Sequence, residues 1–272
     1  MSLAFPEQRA NISLSAFSEK WCRHPFVAKL ERYAGLDPSD LHSLWQLIES
    51  DITVKKRRDL VVDGYEYNKL CFVEEGFAAR YKLLRNGKRQ IVGFILPGDV
   101  IGLLGSFTET ARYSVVAVTD MKMQVCTMSA YVQLCHRRPQ FGLALSWLAI
   151  HEAIMYAEHI IDTGRRTPVE RLAHFLLEIH SRLAMAGCAT ESDFVAPISQ
   201  EIMSDALGLS VPHLNRTLAK LRAEGLIALD GHHVKLIDRE ALEQLGHFQP
   251  YNMMKISAMA DLSHDREPTG RK

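Results

Sequence analysis

The chain has 272 residues and a mass of 30.7 kDa, room for two ordinary domains. Apolar residues make up 47% and charged residues 24%, which supplies a core and excludes wholesale disorder. Lys plus Arg and Asp plus Glu both number 32, so no global field advertises a partner, and any nucleic-acid surface must be a local patch.

Residues 1–50 read as an N-terminal helical segment. Met1 to Ala10 has no basic stretch followed by an apolar one, so no secretory signal is expected. Pro38-Ser39-Asp40 precedes Leu41, Leu44, Trp45, Leu47 and Ile48, an apolar stripe at helical spacing behind a cap. Residues 51–129 change character. Asp63-Gly64, Glu75-Gly76, Asn86-Gly87 and Pro97-Gly98-Asp99 punctuate β-rich runs at Leu70–Val73, Ala78–Leu84, Arg89–Ile95 and Ser114–Thr119. Short strands at this spacing, with a hairpin-type Asn-Gly, predict an antiparallel sandwich or barrel. Lys55-Lys56-Arg57-Arg58 fits a solvated strand edge.

Residues 130–163 turn helical. Leu143, Trp147, Ile150, Ile154, Ala157 and Ile161 are spaced alternately by four and three, a seam at heptad spacing. Phe141, Leu145, Leu148 and Met155 form a second apolar face. Such a helix fits between the sheet domain and a second copy of itself; an ordinary buried helix gives the same pattern. The longest mostly apolar run, Phe141 to Ile150, is far short of the roughly 20 residues of a membrane span. The cysteines, Cys22, Cys71, Cys126, Cys135 and Cys188, are odd in number, scattered and without CxxC, which predicts reduced thiols in a cytoplasmic protein.

Thr163 to Pro168 reads as a hinge, with Thr167 as a cap and Pro168 in a first helical turn. An amphipathic helix, Val169 to about Ala186, and a loop, Gly187–Asp193, follow. In the next stretch Ser199 caps a short helix, Gln200 to Leu207, and small Ser204 lies four residues before Gly208, which turns the chain left-handed. Ser210 caps a second helix from Val211 to about Glu224, and Gly225 ends it. Leu226–Leu229, Asp230-Gly231 and Val234–Ile237 read as a hairpin, so residues 164–246 form a winged helix-turn-helix. Residues 247–272 read as a tail that ends frayed at Asp265–Lys272.

A second helix of this kind lies in the DNA major groove with its first turns toward base edges. Its polar residues there are His213, Asn215, Arg216 and Thr217. Arg216 suits a bidentate contact to guanine, and Asn215 suits adenine or phosphate. Lys220 and Arg222 suit phosphates. Ser199, Gln200 and Ser210, at the two helix starts, complete the expected DNA-binding set. Leu214, Leu218 and Leu221 fall on the buried face, and His232-His233 marks the wing turn. From Arg165 to Gln244 there are 9 Lys plus Arg against 11 Asp plus Glu, so binding rests on a patch and affinity is modest at physiological salt.

These residues resemble the Crp/Fnr family of bacterial transcription regulators over roughly residues 25–245. Leu96-Pro97-Gly98-Asp99-Val100-Ile101-Gly102 is similar to the entry of the family's phosphate cassette. The 130–162 helix sits where the family dimerises. Arg171-Leu172-Ala173, Gln200-Glu201, Ala206 to Ser210 and Asn215 to Leu218 are similar to its DNA-binding domain. The resemblance implies an α+β fold: a jelly-roll-like antiparallel β-roll, a long dimerisation helix and a C-terminal winged helix-turn-helix. It implies a homodimer on a palindromic DNA duplex, with RNA polymerase as a partner and no membrane. Arg216 takes the place of the family's base-reading Arg. The Glu that reads cytosine falls on Pro212, so the familiar operators are not expected.

The same resemblance places an effector position at Gly98, Asp99, Gly102, Leu103, Arg112 and Tyr113. The family's ribose-binding Glu falls on Leu103 and its phosphate-binding Arg-Ser near Arg112-Tyr113, so cyclic AMP is disfavoured, though Arg112 suits an anion. An iron–sulfur cluster needs converging thiolates, which Cys22, Cys71, Cys126 and Cys135 do not offer, and no cofactor is expected. A haem ligand among His136, His151 and His159 is likewise disfavoured. An enzyme is not expected, in the absence of HExxH, GxSxG or a Gly-rich loop with Lys. The roll is expected to sense an effector or to be vestigial; the alternatives are a ligand-independent regulator whose roll is only a dimer scaffold, and a regulator responsive to cyclic AMP.

Overall fold

The computed structural model describes residues 23–33, 37–103 and 108–250. The start of the chain, Cys22 and the expected frayed end at Asp265–Lys272 lie outside the described residues.

Eight strands build the roll: β1 (Ser50–Val54), β2 (Asp59–Val61), β3 (Lys69–Glu75), β4 (Ala78–Leu83), β5 (Arg89–Ile95), β6 (Val100–Ile101), β7 (Ser114–Ala117) and β8 (Met121–Thr127). They pair antiparallel into two four-stranded sheets, β1-β8-β3-β6 and β2-β7-β4-β5. Ile52, Val54, Cys71, Val73, Ala78, Val115 and Met123 belong to one buried cluster drawn from both sheets. Alternation on β3 explains the rest of its burial. Cys71 and Val73 face the roll interior, while Leu70 and Phe72 join a second cluster under the helices.

That helical layer holds α1 (Pro25–Tyr33), α2 (Pro38–Gln46), α3 (Met128–Arg137) and the first half of α4 (Gln140–Gly164). The cap of α2 lies earlier than expected: Asp37 is the N-cap, reciprocally bonded with Asp40, and Pro38-Ser39-Asp40 form the first helical turn instead of preceding it. The stretch expected as one helix from 130 to 162 is two. Arg138 is extended (φ −140°, ψ 87°) ahead of Pro139, the conformation that a following proline favours.

The C-terminal domain comprises α5 (Pro168–Met185), β9 (Asp193–Val195), α6 (Gln200–Leu207), α7 (Val211–Ala223), β10 (Ile227–Asp230), β11 (His233–Leu236) and α8 (Arg239–Gly246). A Thr167–Glu170 capping box starts α5, and of the segment expected as a hinge Thr163 and Gly164 belong to α4. α5 has no solvent face: His174, Glu178 and Arg182 on one side and His180 on another are all buried, because α5 lies between the roll and the helix-turn-helix. The loop expected up to Asp193 gives way to β9, which makes the wing three-stranded, β10-β11-β9. The tail boundary also shifts, since Phe248 is buried and packs its ring on His174.

One core runs through both domains. Phe77, Ala79, Ile91, Phe94 and Leu96, on the outer side of β4 and β5, share a cluster with Leu172, Phe175 and Leu176 of α5 and with Leu207 of α6. The winged domain is therefore seated on the roll. Among the described residues no helix is long and apolar enough to cross a membrane.

Candidate nucleic-acid interface

Local chemistry sets the angle between α6 and α7. The Ser199 hydroxyl accepts from the Ile202 amide, capping α6. Buried Ser204 donates its hydroxyl to the Gln200 and Glu201 carbonyls and presents little bulk at the helix crossing. Gly208 takes φ 65°, ψ 33°, the left-handed end that lets the chain reverse, and the Leu209 amide returns to the Ser204 carbonyl. Ser210 is extended ahead of α7 but makes no side-chain cap bond. Its hydroxyl, like that of exposed Ser199 and the amide of exposed Gln200, lies at a helix start where backbone N–H groups suit phosphate.

Leu214, Leu218 and Leu221 bury one face of α7, as their spacing predicts. On the opposite face Asn215, Arg216, Lys220 and Arg222 are exposed, and His213 is half-buried. Among the described residues the side chains of Asn215 and Arg216 engage no hydrogen-bond or ion-pair partner, so both are available to a ligand. Among the described residues Lys220 has only a long, solvent-screened contact to Glu224 at 3.8 Å. Thr217 stands apart from this group. It is buried and donates its hydroxyl to the His213 carbonyl at 2.9 Å, which removes it from the exposed face. In the wing, Asp230 pairs with His233, so Gly231 and His232 form the turn, with Gly231 at φ 57°.

The free cations on α7 contrast with two buried arginines, Arg166 and Arg182. Arg166 is held by Glu158 at 2.7 Å and Asp162 at 2.8 Å, both on α4. Arg182 is held by Glu178 at 3.0 Å and Asp99 at 2.5 Å. α7 thus groups three exposed cations, Arg216, Lys220 and Arg222, while Arg165 and Lys235 are exposed elsewhere in the domain.

The residues expected at the effector position are placed differently from one another. Asp99 is committed to Lys29 and Arg182. Gly98 and Gly102 have φ of 86° and 100°, and a Cβ on Gly102 would meet the Lys69 carbonyl at 2.0 Å, so glycine serves the backbone there. Leu103 packs in the helical-layer core, Tyr113 in the roll interior, and Arg112 is exposed. A separate cavity of about 470 Å³ lies where β5, α4, α5 and α6 meet, lined in part by Phe94, Tyr156, His159, Arg171, Phe175 and Leu207. Sequence reasoning missed Arg80, Glu152 and Tyr156, which join the roll to α4; one Arg in a β-rich run carries no signal of its own.

On α4 the apolar residues divide as two faces. Phe141, Leu148 and Met155 are buried against the chain, while Leu143, Ile150, Ile154, Ala157 and Ile161 are exposed. Trp147, placed by spacing on the outer seam, is buried and stacks on His151 at 5.5 Å.

Comparisons with known proteins agree with this architecture. Residues 170–245 match the Crp-like helix-turn-helix domain and residues 52–138 match the cyclic nucleotide-binding domain. The chain is 32% identical over 219 residues to the nitrogen fixation regulation protein FixK of Bradyrhizobium diazoefficiens, covering 78% of this chain and 88% of that protein. It is 31% identical over 193 residues to the transcriptional activator protein FnrL of Cereibacter sphaeroides, covering 69% of this chain and 77% of FnrL. Among solved structures, FixK2 from Bradyrhizobium japonicum superposes with a TM-score of 0.66 at 27% identity, covering 72% of this chain and 96% of that one.

Proposed function

Because the chain belongs to the Crp/Fnr family of transcription regulators, we propose that it works in the cytoplasm as a homodimer on a palindromic operator. It carries a Crp-like helix-turn-helix DNA-binding domain and a cyclic-nucleotide-binding-like domain, the constitution of a regulator, not of an enzyme. The observation that carries the dimer is the exposed stripe Leu143, Ile150, Ile154 and Ile161 on α4. A contiguous apolar face of this kind marks a partner surface, and its heptad spacing suits a second copy of the same helix.

Pairing along α4 presents two α7 helices, whose separation must match about 34 Å to enter successive major grooves of one duplex. Arg216 reads a guanine and Asn215 an adenine or phosphate, with His213 beside them. Lys220, Arg222, Ser199, Gln200 and Ser210 hold phosphates. RNA polymerase is the further partner such a regulator recruits. No effector is required in this reading, since the ribose-binding position is Leu103, buried in the core.

Selection of bound DNA from a random pool, with and without cyclic AMP, tests this directly. The expected result is a two-fold symmetric sequence, the same under both conditions, bound by two chains. Selection of asymmetric sites by a single chain overturns it.

A further inference from the structure

Arg80 on β4 has a side chain only 4% exposed, between the roll and α4. Its guanidinium meets Glu152 at 2.7 Å and the Tyr156 hydroxyl, both on α4, and lies 4.7 Å from the ring centroid of Tyr113. Burial works against a charge here, but Glu152, then Tyr156 and Tyr113, outweigh it and keep Arg80 protonated. The pair is not arranged for stability. Among the described residues Arg80 Nε and Glu152 Oε2 are buried without a hydrogen-bond partner, and apolar residues of equal volume stabilise such a place as well or better. What the contact fixes is orientation. One side chain of the sheet grips two groups of α4 one turn apart, and so sets the rotation of α4 about its axis. Ile150 and Ile154 flank Glu152 and face solvent, so this grip decides where the exposed stripe stands relative to the roll.

We infer that Arg80 is a built-in effector: its guanidinium fills, from within the chain, the place beside Tyr113 between roll and α4, and locks α4 in the rotation that presents the stripe for pairing. The inference rests on the reading of α4 as the pairing helix of a DNA-binding dimer. It gives that reading a cause, since Arg80 does within the chain what a bound molecule would otherwise do. It also adds that the space left by removing the Arg80 side chain is a site for a guanidinium-type organic cation, with a carboxylate and two aromatic faces as its walls.

Arg80→Ala in the full chain tests this. Affinity for the selected operator falls about tenfold or more. Millimolar methylguanidinium chloride restores it, whereas sodium chloride at equal ionic strength does not. The same cation raises the melting temperature of Arg80→Ala and leaves the wild type unmoved. Glu152→Gln, which keeps shape and loses charge, weakens DNA binding without rescue. Wild-type affinity in Arg80→Ala, or a loss in a cooperatively melting variant that the cation does not reverse, overturns the inference. So does a wild type that binds its operator only with cyclic AMP added. If Arg80→Ala does not fold, wild-type operator affinity in Glu152→Gln overturns it. A wild-type chain that selects no DNA removes the functional reading and the coupling with it, while the melting shift still reports whether the site holds a cation.

Discussion

Arg182 on α5 and Asp99 on the β5–β6 turn meet at 2.5 Å, joining the DNA-binding domain to the roll through a buried ion pair. Asp99 also receives Lys29 of α1 at 2.8 Å, and Arg182 also donates to the Phe94 carbonyl at 2.7 Å. Glu178, one turn back on α5, continues the chain of charge to His159 on α4 at 2.6 Å. Burial alone would push the Asp99 carboxyl up, but the Lys29 and Arg182 cations hold it well below the usual carboxylate range. Roll, α1, α4 and α5 thus share one alternating network, and the helix-turn-helix cannot turn on the roll without disturbing it.

Asp99→Ala leaves two buried cations facing each other. Breaking a buried pair from one side costs about 3–5 kcal/mol, so the urea midpoint falls strongly. An unchanged midpoint would show that the network relaxes without loss and does not tie the domains.

The exposed face of α7 separates specificity from affinity. Arg216→Ala costs about 1–3 kcal/mol on the selected operator and relaxes preference at one position per half-site. Lys220→Ala weakens all sequences alike and makes the salt dependence shallower by about one. Thr217→Val removes a buried hydroxyl bonded to the His213 carbonyl, so it lowers the melting temperature and leaves base preference intact. Competition binding on specific and random duplexes, with thermal melts, distinguishes the three.

The parts of this arrangement that sequence makes legible are those with local causes. The helix-turn-helix announces itself through Ser199, Ser204 and Gly208, because a cap, a small residue and a left-handed glycine act within a few residues, whereas the cap bond expected of Ser210 is not made. Asn86-Gly87 likewise marks the hairpin between β4 and β5, with Gly87 at φ 79°. The partners of Asp99, Arg80 and Glu178 are not legible, since ion pairs across domains have no sequence period. Trp147 shows the same limit. Heptad spacing assigns it outward, yet its ring is drawn inward by the helical-layer core and His151. Thr217 matches the polar pattern of a base reader, but back-bonding to the helix removes it.

The stripe on α4 gives a prediction about assembly. Ile154 is 37% exposed in the single chain, so a charge there costs the isolated fold little. Ile154→Glu sets a carboxylate against its counterpart at a two-fold contact and dissociates the dimer. Sedimentation is expected to give one subunit's mass for the variant and two for the wild type, with operator binding lost. A variant that keeps two subunits and full binding moves the interface away from this stripe.

Titration of the buried network gives the stability a maximum near pH 6.5. Burial would lower His159, but Glu178, followed by the Val92 carbonyl and Asp162, raises it from 6.5 to about 9. Its contribution is complete below pH 6.5 and is lost as pH rises through about 9. His151 behaves oppositely. Burial, then the Lys29 and Arg182 cations, push it down to about 3, so it stays neutral while the unfolded chain gains a proton, and stability is lost as pH falls from 6.5 toward 3. Glu178, which burial would raise, is held near 2 by His159 and Arg182, so its contribution is present above pH 4.5 and fades as pH falls toward 2. His159→Gln keeps a hydrogen-bonding side chain without the proton equilibrium. Melting temperature between pH 6.5 and 9 is expected to decline in the wild type and stay flat, at a lower level, in His159→Gln. Parallel declines in both proteins would mean that another group carries the alkaline loss.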